Sequence, residues 1–129
     1  MAISSFADLL DEARRQPEPQ RLLFVFTRAE LPDHPSEEQR RLFEQGEGGV
    51  LTPMLCVDKT PNELTDMAGL AAESQSTGVD WDIVFVAAMA DQGSELAERH
   101  LERMVESLKM GTIDQFLTFD RTGEGVGFQ

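Results

Sequence analysis

The sequence predicts a single α/β domain, with a mixed, mainly parallel sheet, helices on both faces, and the order αβαβαβαββ. Three observations lead there. The stretch 81–89 (WDIVFVAAM) is an almost unbroken apolar run between Gly78 and Gly93, the pattern of a strand covered on both sides. Two more strand-like runs, 21–27 and 50–57, alternate with helical patterns, and that alternation favours parallel strands joined by right-handed crossovers. At 129 residues the chain suits one domain, 1–129, able to bury about two-thirds of its unfolded surface without cross-links. The loop and short helix between the first two strands also fit an antiparallel pair, which is why the sheet is expected to be mixed.

The first helix begins after Ser5, a good N-cap, and carries Phe6, Leu9, Leu10 and Ala13 on one stripe until Pro17 and Pro19 end it. The first strand, 21–27, follows. A polar loop, 32–35, leads to Ser36 and Gln39, a capping box that opens a short helix through Gln45. Gly46, Gly48 and Gly49 break the chain ahead of the second strand. Pro53 lies inside that strand and cannot donate to a ladder, so pairing starts after it or the strand lies near an edge. Thr60-Pro61-Asn62-Glu63 is a helix start by its capping threonine, its proline at the first helical position and its glutamate at the third. Leu64, Met67, Ala68, Ala71 and Ala72 then recur at helical spacing, and Gly78 is the stop. Ser94 caps the last helix, with Leu101, Met104, Val105 and Leu108 facing inward and Gly111 closing it. The C-terminus reads as a hairpin, 116–119 against 124–128, around a type I turn at 120–123 with Gly123 left-handed.

Charge narrows the partners. With 24 acidic and 11 basic side chains the net charge is −13, a surface that repels phosphate backbones and anionic lipid. Neither nucleic acid nor a membrane is expected. No apolar run approaches the roughly 20 residues that cross a bilayer. Residues 1–6 lack the basic-then-apolar order of a secretory signal, and a single cysteine, Cys56, precludes an internal disulfide. A cytoplasmic setting is expected.

The candidate chemistry is sparse. Were the three main strands parallel, their carboxyl ends would form one edge, where open α/β sheets bind ligands. That edge would gather Arg28 and Glu30, then Asp58, Lys59 and Thr60, then Asp91 and Gln92. The helix starts at Thr60 and Ser94 would add N–H groups there. Arg28, Asp58, Lys59, Thr60 and Asp91 are thus the candidate site for a small anion. Against it stands the ordinary use of charged residues in turns after strands.

No catalytic residues are assigned. Neither glycine-rich phosphate loop occurs, and the 46–49 glycine cluster precedes a strand instead of following one. Cys56 alternates with Met54 and Asp58 within a strand and reads as a buried, inert thiol. Ser94 and His100 lie six residues apart on one helix, on different faces, so they cannot share a proton. Two histidines and one cysteine without ligand spacing do not build a zinc site, and no cofactor or metal is expected. Asp80 and Asp82 share a face at a strand start and read as charges guarding an aggregation-prone strand. At the C-terminus, Gly123, Gly125 and Gly127 alternate with larger residues, giving either a bare edge open to another chain or a thin edge packed on a neighbouring helix. The packed edge is the simpler reading.

Four stretches carry a resemblance: 17–26 (PEPQRLLFVF), 51–64 (LTPMLCVDKTPNEL), 81–89 (WDIVFVAAM) and 119–128 (FDRTGEGVGF). Together they resemble a family of small bacterial proteins of about this length, some of which carry the name "ribonucleotide reductase subunit alpha". The resemblance implies a shared fold and carries over no catalytic residues. That name conflicts with the residues: the enzyme's catalytic subunit is a much larger barrel whose radical chemistry uses several cysteines, and here Cys56 stands alone. The expected function is therefore a non-enzymatic protein that binds a protein partner or a second copy of itself. The alternative is a small-molecule binder or enzyme at the strand-end site.

Overall fold

The computed structural model describes residues 3–31, 33–45, 50–64, 66–110 and 116–126. Its elements are α1 (Phe6–Arg15), β1 (Gln20–Glu30), α2 (Glu37–Glu44), β2 (Val50–Lys59), a 3₁₀ turn (Pro61–Glu63), α3 (Met67–Gln75), β3 (Ile83–Ala90), α4 (Ser94–Lys109) and β4 (Leu117–Asp120). The four strands form one sheet in the order β2-β1-β3-β4, and every neighbouring pair is antiparallel.

This corrects the expected mainly parallel sheet. β1 sits between β2 and β3 and runs against both, so β2 and β3 share a direction without touching. The apolar run in β3 records burial, and burial is blind to strand direction. Only Val84, Phe85 and Val86 are fully enclosed in β3, while Ala88 near its end is exposed. Trp81, expected within the strand, is buried just before it.

Helices cover both faces of the sheet. Leu22, Phe24 and Phe26 of β1, with Val84, Val86 and Phe119, pack against α1 (Phe6, Leu9, Leu10, Ala13) and α3 (Met67, Leu70). The alternate residues, Leu23, Val25 and Phe85, pack against Ala97, Leu101 and Met104 of α4. β1 thus places successive side chains in two different cores, the period-two geometry of a strand with both faces covered. The α1 stripe and the Ser36–Gln39 capping box form as the sequence predicts, whereas α2 buries no side chain.

Pro53 is accommodated by an edge position and a bulge. Phe26 faces Leu55 but Thr27 faces Pro53, so Met54 is the extra residue. A one-residue slip exchanges faces. Leu51 accordingly packs with the α4 core, while Leu55 and Val57 pack with the α1/α3 core. That leaves Cys56 and Asp58 on the α4 side.

Three local expectations are corrected. The Thr60 signal starts a three-residue 3₁₀ turn, after which Leu64 is extended and α3 begins at an Asp66 N-cap whose carboxylate accepts from the Gly69 N–H at 2.8 Å. Ser94 is the first residue of α4, and Gly93 is its N-cap. The glycine-rich end forms single bridges, Phe119 to Gly125 and Ser5 to Glu124, in place of a full hairpin strand. Gly123 takes the left-handed φ of 89° in the turn, as expected. The Gly125 amide donates to Ser4 O, and the Phe6 amide to Gly123 O, so the chain's own start occupies that edge. Gly46, Gly48, Gly49, Gly111, Gly127 and Phe128 lie outside the described residues. No helix is long and apolar enough to cross a membrane among the described residues.

Candidate functional site

Antiparallel pairing redistributes the predicted site. β1 starts where β2 and β3 finish, so the carboxyl ends of β2 and β3 flank the beginning of β1. Asp58, Lys59, Thr60 and Asp91 therefore lie at one end of the sheet. Arg28 pairs with Thr52 near the other end; Lys59 pairs with Leu22, so at the usual strand rise the two cations stand roughly 20 Å apart along β1. The proposed anion site cannot include both.

The remaining four are separated by face and by prior engagement. Asp58 points to the α4 side, where Arg21 of β1 bridges it and Asp91. The guanidinium Nη1 lies 2.5 Å from the Asp58 carboxylate, and Nε lies 2.9 Å from that of Asp91. These side chains are only 16–25% exposed, which makes the bridge more than a surface pair. The Arg21 guanidinium, followed by the Gly93 N–H, holds the Asp91 carboxyl below the usual carboxylate range, and Asp91 in turn raises Arg21. Lys59, one residue on from Asp58, turns to the opposite face and pairs with Glu73 of α3. Thr60 gives both its N–H and its hydroxyl to Glu63, whose carboxyl is lowered first by that N–H and then by the hydroxyl.

A cleft of about 400 Å³ does open at this end, touching Thr60 and Asp91 between the end of α1 and the 3₁₀ turn. Its basic residue, Arg14, donates to the Leu64 carbonyl at 2.9 Å and to that of Pro61 at 3.4 Å. Glu18 and Asp91 add negative charge. An anion there would meet carboxylates and an occupied guanidinium. The cleft's chemistry does not suit it.

Other residues weighed in the sequence have structural work. Asp80 pairs with Arg121, and Asp82 accepts the Ala29 N–H at 2.9 Å, so the two acids serve different neighbours instead of sharing a strand face. Cys56 is exposed, which corrects the buried-thiol expectation, and partial burial still pushes its thiol above the ordinary cysteine value.

A feature that sequence reasoning passed over lies beside Cys56. A groove of about 690 Å³ runs between β2 and α4, with Cys56 and Asp58 on one side and Glu95, Glu98, Glu102 and Glu106 along the other. All four glutamates are exposed. Five carboxylates and no basic side chain line it. The signal was in the sequence: these glutamates recur at helical spacing on one face, outside the Ala97/Leu101/Met104 stripe. The helix tolerates two like-charged i,i+4 pairs, Glu98–Glu102 and Glu102–Glu106, each costing roughly 0.2–0.5 kcal/mol.

No family model matches this chain, and neither a curated protein nor a solved structure does. Geometry alone carries the functional argument. It contains two distinct features: a strand-end cluster whose cations, Arg21 and Lys59, are already held by carboxylates, and an edge strand beside an acidic groove.

Proposed function

We propose that this chain is a cytoplasmic protein-interaction module that binds a partner as an added strand on the free edge of β2. The single observation behind the reading is that edge. Across all ten residues of Val50–Lys59, β2 is hydrogen-bonded on one side only, to β1, among the described residues. An unpaired strand of this length is a template for another strand unless it is blunted. Here the blunting is light: Pro53 and the bulge at Met54 interrupt only the first half. Val50 and Met54 leave 49% and 39% of their surfaces exposed there. At the opposite side of the sheet, β4 is covered by residues 124–126, which the Ser4–Phe6 segment covers in turn, so β2 is where strand addition has room.

Binding in place of catalysis is supported by the strand-end cluster. Arg21, Lys59 and Thr60 are each committed to an internal carboxylate, and the Cys56 thiol is shifted away from its reactive thiolate.

The test is capture from host lysate with the wild-type chain and with the Val50→Lys/Met54→Lys variant, whose lysines blunt the edge. Proteins held by the first and lost by the second support the reading. A stoichiometric small metabolite held equally by both would replace it with the small-molecule alternative.

A further inference from the structure

We infer that the segment added to β2 is basic, with lysine or arginine at alternate positions whose side chains enter the groove beside α4. This deepens the strand-addition reading and rests on it. Three observations select the occupant. The groove borders the half of β2 that carries Cys56 and Asp58, beyond the bulge, so a strand paired there lies next to it. Its lining carries Glu95, Glu98, Glu102, Glu106 and Asp58, and of these only Asp58 is paired with a cation, Arg21, in a described ion pair. The remaining four carboxylates are complementary to cations and repel acids.

Spacing agrees with charge. Glutamates four residues apart on a helix are separated by about 6 Å along its axis. Alternate side chains of a strand repeat every roughly 6.8 Å. An extended segment with a cation at every second residue therefore meets successive glutamates, while its other side chains lie on the Leu55/Val57 side of the sheet, which is apolar. A second copy of this chain is a poor occupant. Each copy carries a net charge of −13, so pairing two β2 edges would bring two acidic grooves together.

The full chain is titrated by fluorescence anisotropy with short labelled peptides that alternate lysine and valine, serine and valine, or glutamate and valine. A fourth peptide alternates lysine and valine but is N-methylated at alternate amides, so that it cannot complete a ladder. The lysine peptide should bind roughly tenfold tighter than the serine peptide, the combined effect of two or three exposed ion pairs. That advantage should vanish at high salt and in the Glu98→Gln/Glu102→Gln variant. It should shift the backbone amides of residues 54–58. Equal binding of lysine and serine peptides overturns the basic specificity and leaves strand addition standing. Equal binding of the N-methylated peptide overturns strand addition itself. A dimer that protects the β2 amides and refuses every peptide overturns both in favour of a second copy.

Discussion

The amide of Gly125 donates to the carbonyl of Ser4 at 2.9 Å, and a Cβ added at Gly125 would lie 2.8 Å from that same oxygen. Backbone meets backbone there, so no flexible side chain can yield. The contact ties the segment that returns along β4 to the one that enters α1, where the Ser5 side chain caps the helix by accepting from the Asp8 N–H.

Gly125→Ala should therefore lower stability by about 1–3 kcal/mol, the usual range for forced overlap in a packed site. Hydrogen exchange should quicken first in Leu117–Asp120 and Phe6–Arg15, because these are the elements that the contact joins. Unchanged exchange in both would show that the edge is held by other means.

Trp81 and Ser74 form a second such pair. The indole N–H donates to the serine hydroxyl at 2.7 Å, and that hydroxyl donates to the Ala71 carbonyl at 2.7 Å, inside the core. Ser74→Ala leaves a buried indole N–H unpaired, at a cost of about 1–3 kcal/mol. Trp81→Phe costs about 2–4 kcal/mol, through lost volume against Phe26 as well as the lost bond. Urea denaturation of the double variant should show less than the sum, because the second change removes a donor already orphaned by the first.

Acid should loosen the strand-end cluster. The folded-state pKa of Asp91 is depressed below its ordinary value of 3.8, chiefly by the Arg21 hydrogen bond. A depressed carboxyl contributes stability that is complete above the unfolded pKa and fades as pH falls through the folded one. Asp91→Asn should consequently lower the urea midpoint at pH 7, and the difference from wild type should shrink below about pH 4. Asp120, lowered first by the Thr122 hydroxyl, and Glu63, lowered first by the Thr60 N–H, act in the same window and sense. A difference that stays constant down to strong acid would remove the Arg21 bridge from the account.

Cys56 reports on the groove directly. It is exposed, so thiol reagents should label the native protein fully, yet slowly at neutral pH and faster as pH rises, because burial pushes its pKa up from 9.0. Among reagents, a cationic methanethiosulfonate should outpace an anionic disulfide at low salt, and added salt should bring the two rates together. Equal rates at low salt would mean that the glutamates of α4 exert no field at the thiol.

Much of the local structure was legible in the chain. Ser5, Ser36 and Gln39 announce helix starts through side chains that reach only three residues, and Phe6, Leu9, Leu10 and Ala13 trace a stripe within one helix. The glutamate row of α4 was equally local, but in a chain with 24 acids its periodicity was hidden by abundance. The Thr60 signal misled because its capping chemistry is satisfied by a single 3₁₀ turn as well as by a helix.

The amino-acid sequence by itself determined where α1 and α2 begin, which three long stretches become β1, β2 and β3, and that a buried apolar centre lies within 81–89. These follow from hydrogen bonds and burial within a few residues of chain. Only the tertiary structure decided strand direction, the face each β2 residue presents, and the union of Arg21 with an aspartate 70 residues away. Apolar burial has no polarity along the strand, so the same pattern serves parallel and antiparallel neighbours. One bulge at Met54 is then enough to exchange the faces of β2 and bring Cys56 out beside α4.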